Sequence, residues 1–200
     1  MFLGIDLATF IQLIGYPGMF AIIFAESGII VGFFLPGASL LFTAGLLASV
    51  GVFNPWILIP LVTIAAILGD NVGYWFGAKI GIKLFVRPNS RFFRQEHVRR
   101  AQHFYERHGW YAIILARFIP IIRTFAPIVA GIGSMNYKLF VLCNVVGALV
   151  WASGITSLAY YLGERFPLIE HYLTPIILGI IAITTIPLMW QTWKSARRAA

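Results

Sequence analysis

Residues 111–135 read YAIILARFIPIIRTFAPIVAGIGSM, an apolar run interrupted by two arginines, two prolines and two glycines. Residues 25–51 read AESGIIVGFFLPGASLLFTAGLLASVG, broken in the same manner by Pro36-Gly37 and carrying one acid, Glu26. A proline inside a helix removes a backbone donor and clashes with the preceding turn, and Pro-Gly signals a turn outright. The apolar runs flanking each break are about 10–16 residues long, whereas a helix needs roughly 20 to cross a bilayer. The stretches 18–50 and 110–135 are therefore expected to form re-entrant hairpins. Pro36 and Gly37 would turn the first, and Pro120, Pro127 and Gly131 the second. Backbone groups at such a turn are tolerated only where protein or water covers them, so the two hairpins are expected to face each other.

The rest of the composition agrees with a bilayer as the principal solvent. Hydrophobic residues make up 60% of the 200-residue chain and charged residues 11%, against roughly 25% charged in soluble domains. Aromatic residues are abundant, with 17 Phe, 8 Tyr and 6 Trp, as suits rings placed at lipid interfaces. One membrane domain over 1–200 is expected. The N-terminus lacks the basic region of a cleaved signal peptide and has Asp6 there instead, so the first apolar segments are expected to remain. The net charge of +8 does not imply nucleic acid, because it is clustered. Eight basic residues lie between Lys79 and Arg107, and Lys194, Arg197 and Arg198 lie near the C-terminus, the pattern of cytoplasmic loops and tails.

Three ordinary spans are expected, at 55–78, 137–162 and 173–193, the last kinked by Pro187. Residues 1–17 read as an interfacial or partial helix ending at Gly15-Tyr16-Pro17-Gly18. Residues 79–108 read as a basic cytoplasmic segment containing an amphipathic helix. The halves also repeat weakly, from Pro36 to Pro120, Gly45 to Gly131 and Gly81 to Gly163, offsets of 84, 86 and 82 residues. With the basic segments on one side, hairpin one enters from outside and hairpin two from the cytoplasm. The fold class is thus all-α integral membrane, two inverted hairpin-plus-helix repeats with an extra C-terminal transmembrane helix. That is a layout common among secondary transporters.

Charges within these apolar stretches are the candidate site. The first 78 residues hold three carboxylates and no Lys or Arg, and two of them, Glu26 and Asp70, interrupt apolar sequence. Arg117 and Arg123 bracket Pro120 in the second hairpin. Ionisable groups at membrane depth are expensive and functional by default. Acids in one half and bases in the other make mutual pairing natural. Static salt bridges between hairpins are one reading. The other is that the arginines bind an anionic headgroup, since a guanidinium donates two parallel hydrogen bonds to phosphate, while the carboxylates carry protons, since loss of water favours the neutral acid. No metal site is expected. Cys143 stands alone in an apolar run, and His97, His103 and His108 lack partnering ligands. No cofactor is implied.

On these residues the chain resembles the DedA family of bacterial inner-membrane proteins, related to eukaryotic lipid scramblases with the same domain. The resemblance rests on ESGIIVGFFLPGASLLFTAG, GDNVGYWFGAKIG and ARFIPIIRTFAPIVAGIGSM, and covers most of 15–165. It implies two re-entrant hairpins, proton-dependent membrane homeostasis and, for some members, return of undecaprenyl phosphate across the inner membrane. Glu26, Arg117 and Arg123 match family positions tied to function. Ala38 departs from the pattern: many relatives carry Asp or Glu between Gly37 and Ser39. Either Glu26 alone suffices, or Asp70 compensates, or this chain is impaired or differently coupled.

The leading expectation is therefore a flippase for an anionic lipid or polyprenyl phosphate, with protons and membrane lipids as further partners. A proton-coupled transporter of small ions or drugs would use the same acids. A non-catalytic scaffold would use the charges only as structural pairs. No H-E-x-x-H or paired-Asp motif is present and no His falls in an apolar span, so an enzyme is not expected. A single copy and a homo-oligomer both fit.

Overall fold

Proline and glycine set where the helices stop. The computed structural model describes residues 7–28, 37–81, 111–117 and 119–166, which are helical with short turns between helices. Helix α1 (Leu7–Gly28) is broken at Gly15, whose φ of 56° and ψ of −159° suit a residue without a Cβ. Helix α2 (Gly37–Ser49) is followed by α3 (Pro55–Phe76), which runs on into a wide π-type turn at Gly77–Gly81. Further along the chain come α4 (Tyr111–Ala116), α5 (Pro120–Ile132) and α6 (Tyr137–Ala148). A second wide turn at Leu149–Ser153 joins α6 to α7 (Gly154–Arg165). The turn at Pro36, the basic segment from 82 to 110 with its three histidines, and the span expected at 173–193 lie outside the described residues.

Two helical stretches, Pro55–Lys79 and Tyr137–Arg165, are long and apolar enough to cross a membrane. Each leaves large apolar side chains uncovered, among them Trp56 at 86% exposure and Leu142 at 62%. The helices α2 and α5 have 13 residues each, too few to cross the roughly 30 Å hydrocarbon core at 1.5 Å per residue.

The residues group into two compact units. The first holds the start of α1, α2, the first turn of α3, and α7. There Gly45 of α2 lies against the Thr156 carbonyl and the Ala159 methyl of α7. Asn54 caps α3 by accepting from the Trp56 N–H at 2.9 Å, and its own N–H donates to the Tyr16 hydroxyl at 2.7 Å.

The second unit holds the end of α1, most of α3, α4, α5, α6 and the wide turn after it. Helices α1 and α3 touch backbone to backbone. A Cβ built on Gly28 would lie 2.6 Å from the Gly69 carbonyl oxygen, so only glycine permits this approach. The wide turn at Gly77–Gly81 packs on α5, with Gly77 against the Ile128 carbonyl and Gly131 against the Tyr74 carbonyl. Ile113, Ala130, Met135, Phe140 and Cys143 form the apolar core beside them. Tyr74 stacks on Phe140 at 4.5 Å between ring centroids, and its hydroxyl donates to the Met135 carbonyl at 2.5 Å. Cys143 is a free, buried thiol in this core.

Candidate functional site

Pro120 arranges the two arginines. The residue before a proline is pushed out of the helical region, and Ile119 is extended, with φ −109° and ψ 109°. Proline is tolerated at a helix start because that N–H has no partner there in any case. Helix α4 thus ends beside Arg117, and α5 begins so that Arg123 lies one turn in, its N–H donating to the Ile119 carbonyl at 2.9 Å.

All four expected charges lie in the second unit, and all are buried: Glu26 is 2% exposed, Asp70 3%, Arg117 4% and Arg123 8%. Arg123 Nη2 donates to Glu26 Oε1, and Arg117 Nη2 donates to Asp70 Oδ2. The two pairs meet α4 and α5 six positions apart, on either side of Pro120, and so form one cluster of four buried charges. The charges sum to zero in pairs, the condition for keeping ions in a low-dielectric interior.

Two further residues complete the cluster, and neither was singled out from the sequence. Asn144 on α6 is fully buried. Its Oδ1 accepts from Arg117 Nη2 at 2.5 Å, and its Nδ2 donates to the Ile67 carbonyl at 3.0 Å. Trp151, inside the wide turn after α6, carries Arg123 over its ring, with Cζ 4.1 Å from the centroid. Such stacking is worth about 0.5–2 kcal/mol. The signals available were a lone amide in FVLCNVVG and a tryptophan in mid-span rather than at an end.

The pairs do not exhaust the donors. Arg117 Nε, Arg123 Nε and the Thr124 hydroxyl are buried and have no hydrogen-bond partner among the described residues. Buried donors in this state are costly unless something accepts from them. Of the turn residues, Gly131 is at a helix contact as above, and Pro127 faces Gly73 of α3. Gly37 begins α2, and Ala38, half-buried, is its second residue; both belong to the first unit.

Two described stretches long and apolar enough to cross a membrane, with charges kept as buried ion pairs among the helices packed beside them, fit the class of integral membrane proteins. The VTT domain model matches residues 35–161. Protein DedA of Escherichia coli (strain K12) is 45% identical over 187 residues, covering 92% of this chain and 85% of that protein. The uncharacterized membrane protein ML0287 of Mycobacterium leprae is 43% identical over 187 residues, covering 92% and 83%. Inner membrane protein YqjA of E. coli (strain K12) is 31% identical over 186 residues, covering 88% and 84%. The chain belongs to the DedA family and carries its VTT domain. No solved structure matches it.

Proposed function

We propose that this protein carries a phosphate-bearing lipid, undecaprenyl phosphate being the leading candidate, across the bacterial inner membrane, with the movement coupled to protons. One observation carries the reading. Two guanidiniums are buried against two carboxylates inside an apolar protein, and each keeps a buried Nε donor without an acceptor among the described residues. A phosphate monoester offers acceptor oxygens and negative charge to such donors. In this mechanism the lipid phosphate competes with Glu26 for Arg123, and protonation of Glu26 yields the arginine to it. Release of that proton restores the ion pair and expels the phosphate. Trp151 keeps the guanidinium in place while its anionic partner changes.

The short helices α2 and α5 serve as limbs of two inverted re-entrant hairpins, and the basic segment at 79–108 and the C-terminal tail lie on the cytoplasmic side. The protein acts as a carrier and not as an enzyme. A small-ion exchanger would use the carboxylates but has no need of two arginines, which favours the lipid phosphate.

The deciding experiment is translocation of labelled undecaprenyl phosphate in proteoliposomes, with and without a pH gradient, for the parent chain, Arg117→Ala and Arg123→Ala. Movement by the parent, lost in both variants and faster with the gradient, is expected. A well-folded parent that moves no lipid phosphate would sink the proposal. Unchanged transport and pH response in Glu26→Gln would sink the competition step alone.

A further inference from the structure

The two arginines are held differently. Arg117 Nη2 donates both to the Asp70 carboxylate and to the Asn144 amide oxygen. That amide is itself anchored. Its Nδ2 donates to the Ile67 carbonyl on α3, one turn before Asp70. Flipping it would place NH2 against the guanidinium and lose both bonds, so its oxygen has a single direction. The α6 backbone closes on the same side chain, because a Cβ built on Gly147 would lie 2.9 Å from Arg117 Cδ and 3.0 Å from Nε. Arg123 instead meets the Glu26 carboxylate and the face of Trp151. An aromatic face attracts a cation without setting the direction of its N–H bonds, whereas an amide oxygen sets one.

We infer that Asn144 is a positioning residue which, with Asp70, holds Arg117 in one place, so that the two arginines do unequal work: Arg117 keeps its protein partners, and Arg123 is the one that changes anion. The second half of this statement rests on the lipid-phosphate reading; the first half does not.

The test moves the carboxylate from α3 to α6. In Asp70→Asn/Asn144→Asp, Arg117 still meets one carboxylate and one amide, although residue 144 can no longer donate to the Ile67 carbonyl. Asp70→Asn alone removes its anion, and Asn144→Asp alone puts two carboxylates on one cation. The full chain is prepared in detergent with 15N-labelled arginine, and the Arg117 Nε–H signal is assigned as the one missing from Arg117→Lys. A distinct Arg117 signal is expected in the parent, lost to solvent exchange in Asn144→Leu and restored at least in part in the exchanged double variant. Geranyl phosphate added to the parent should shift the Arg123 signal, whose anionic partner changes, much further than that of Arg117, which keeps Asp70 and Asn144. In proteoliposomes of phosphatidylethanolamine and phosphatidylglycerol, movement of a labelled polyprenyl phosphate should fall about tenfold or more in each single variant, as misplacing a binding group does, and recover in part in the double, which restores the charge balance at Arg117 but not the bond to the Ile67 carbonyl.

An unchanged Arg117 signal in Asn144→Leu overturns the positioning role, and so does a double variant no better than the worse single. A shift of Arg117 in place of Arg123 overturns the inequality. A parent that moves no phosphate lipid and shows no shift with geranyl phosphate overturns the lipid reading and the anion exchange at Arg123. Positioning by Asn144 is then judged by the Arg117 signal alone.

Discussion

Replacing Glu26 by Leu and Arg123 by Met, singly and together, should separate stability from transport. Both side chains are under a tenth exposed. Arg123→Met alone leaves the Glu26 carboxylate buried without that cation, and removing one partner of a buried pair costs about 3–5 kcal/mol. It also forfeits the stacking on Trp151, roughly 0.5–2 kcal/mol. Glu26→Leu alone leaves a buried guanidinium, with the Trp151 face as partial compensation, and should cost somewhat less. The double variant removes both charges at once. Apolar replacement of a buried pair is often neutral or stabilising by about 1–4 kcal/mol, so the lost stacking brings the double close to the parent. The sole cysteine supplies the assay. Cys143 is 3% exposed, so a thiol-reactive dye in a heating ramp reads unfolding directly. The order of stability expected is double near parent, then Glu26→Leu, then Arg123→Met. The same double variant, well folded, should move no lipid phosphate. A double less stable than both singles would refute the energetic argument. A double that still transports would refute the functional one and make this pair a structural brace in a carrier that holds the phosphate elsewhere.

Two other outcomes concern the packing and the supply of protons. Gly69→Ala should destabilise by about 1–3 kcal/mol, as overpacking does, because its Cβ would stand 2.5 Å from the Phe24 carbonyl oxygen; the Cys143 dye ramp reads the loss, and an unchanged melting temperature would mean that α1 and α3 can separate at no cost. Ala38→Asp adds a carboxylate at the second residue of α2 and should raise proton-dependent transport, and an unchanged rate in proteoliposomes would mean that Glu26 and Asp70 already supply the protons.

The limits of the helices were legible because they are local. Pro120 dictates the extended conformation of Ile119 through its own ring, and the Gly15 break needs only neighbouring residues. The burden of charge in apolar sequence was equally plain, since Glu26, Asp70, Arg117 and Arg123 would each be expensive in lipid wherever the helices ran. Asn144 gave no such warning. An uncharged amide costs far less to bury, so nothing in the composition of α6 set it apart. Trp151 was hidden by its own ordinariness, because an apolar ring in a span packs as well against lipid as against a cation.

The sequence by itself determined that this chain is a membrane protein, where its helices break, and that two acids and two arginines must find partners within it. Those properties depend on the solvent each residue prefers and on torsions set by adjacent residues. Only the tertiary structure decided the pairing: Glu26 with Arg123 across 97 positions and Asp70 with Arg117 across 47, with Asn144 bracing one arginine and Trp151 the other. Which side chains meet depends on the rotation of each helix about its axis and on how closely the backbones approach. Glycine contacts such as Gly28 with Gly69 and a wide turn at Leu149–Ser153 alter both, and those are settled by packing between segments far apart in the chain.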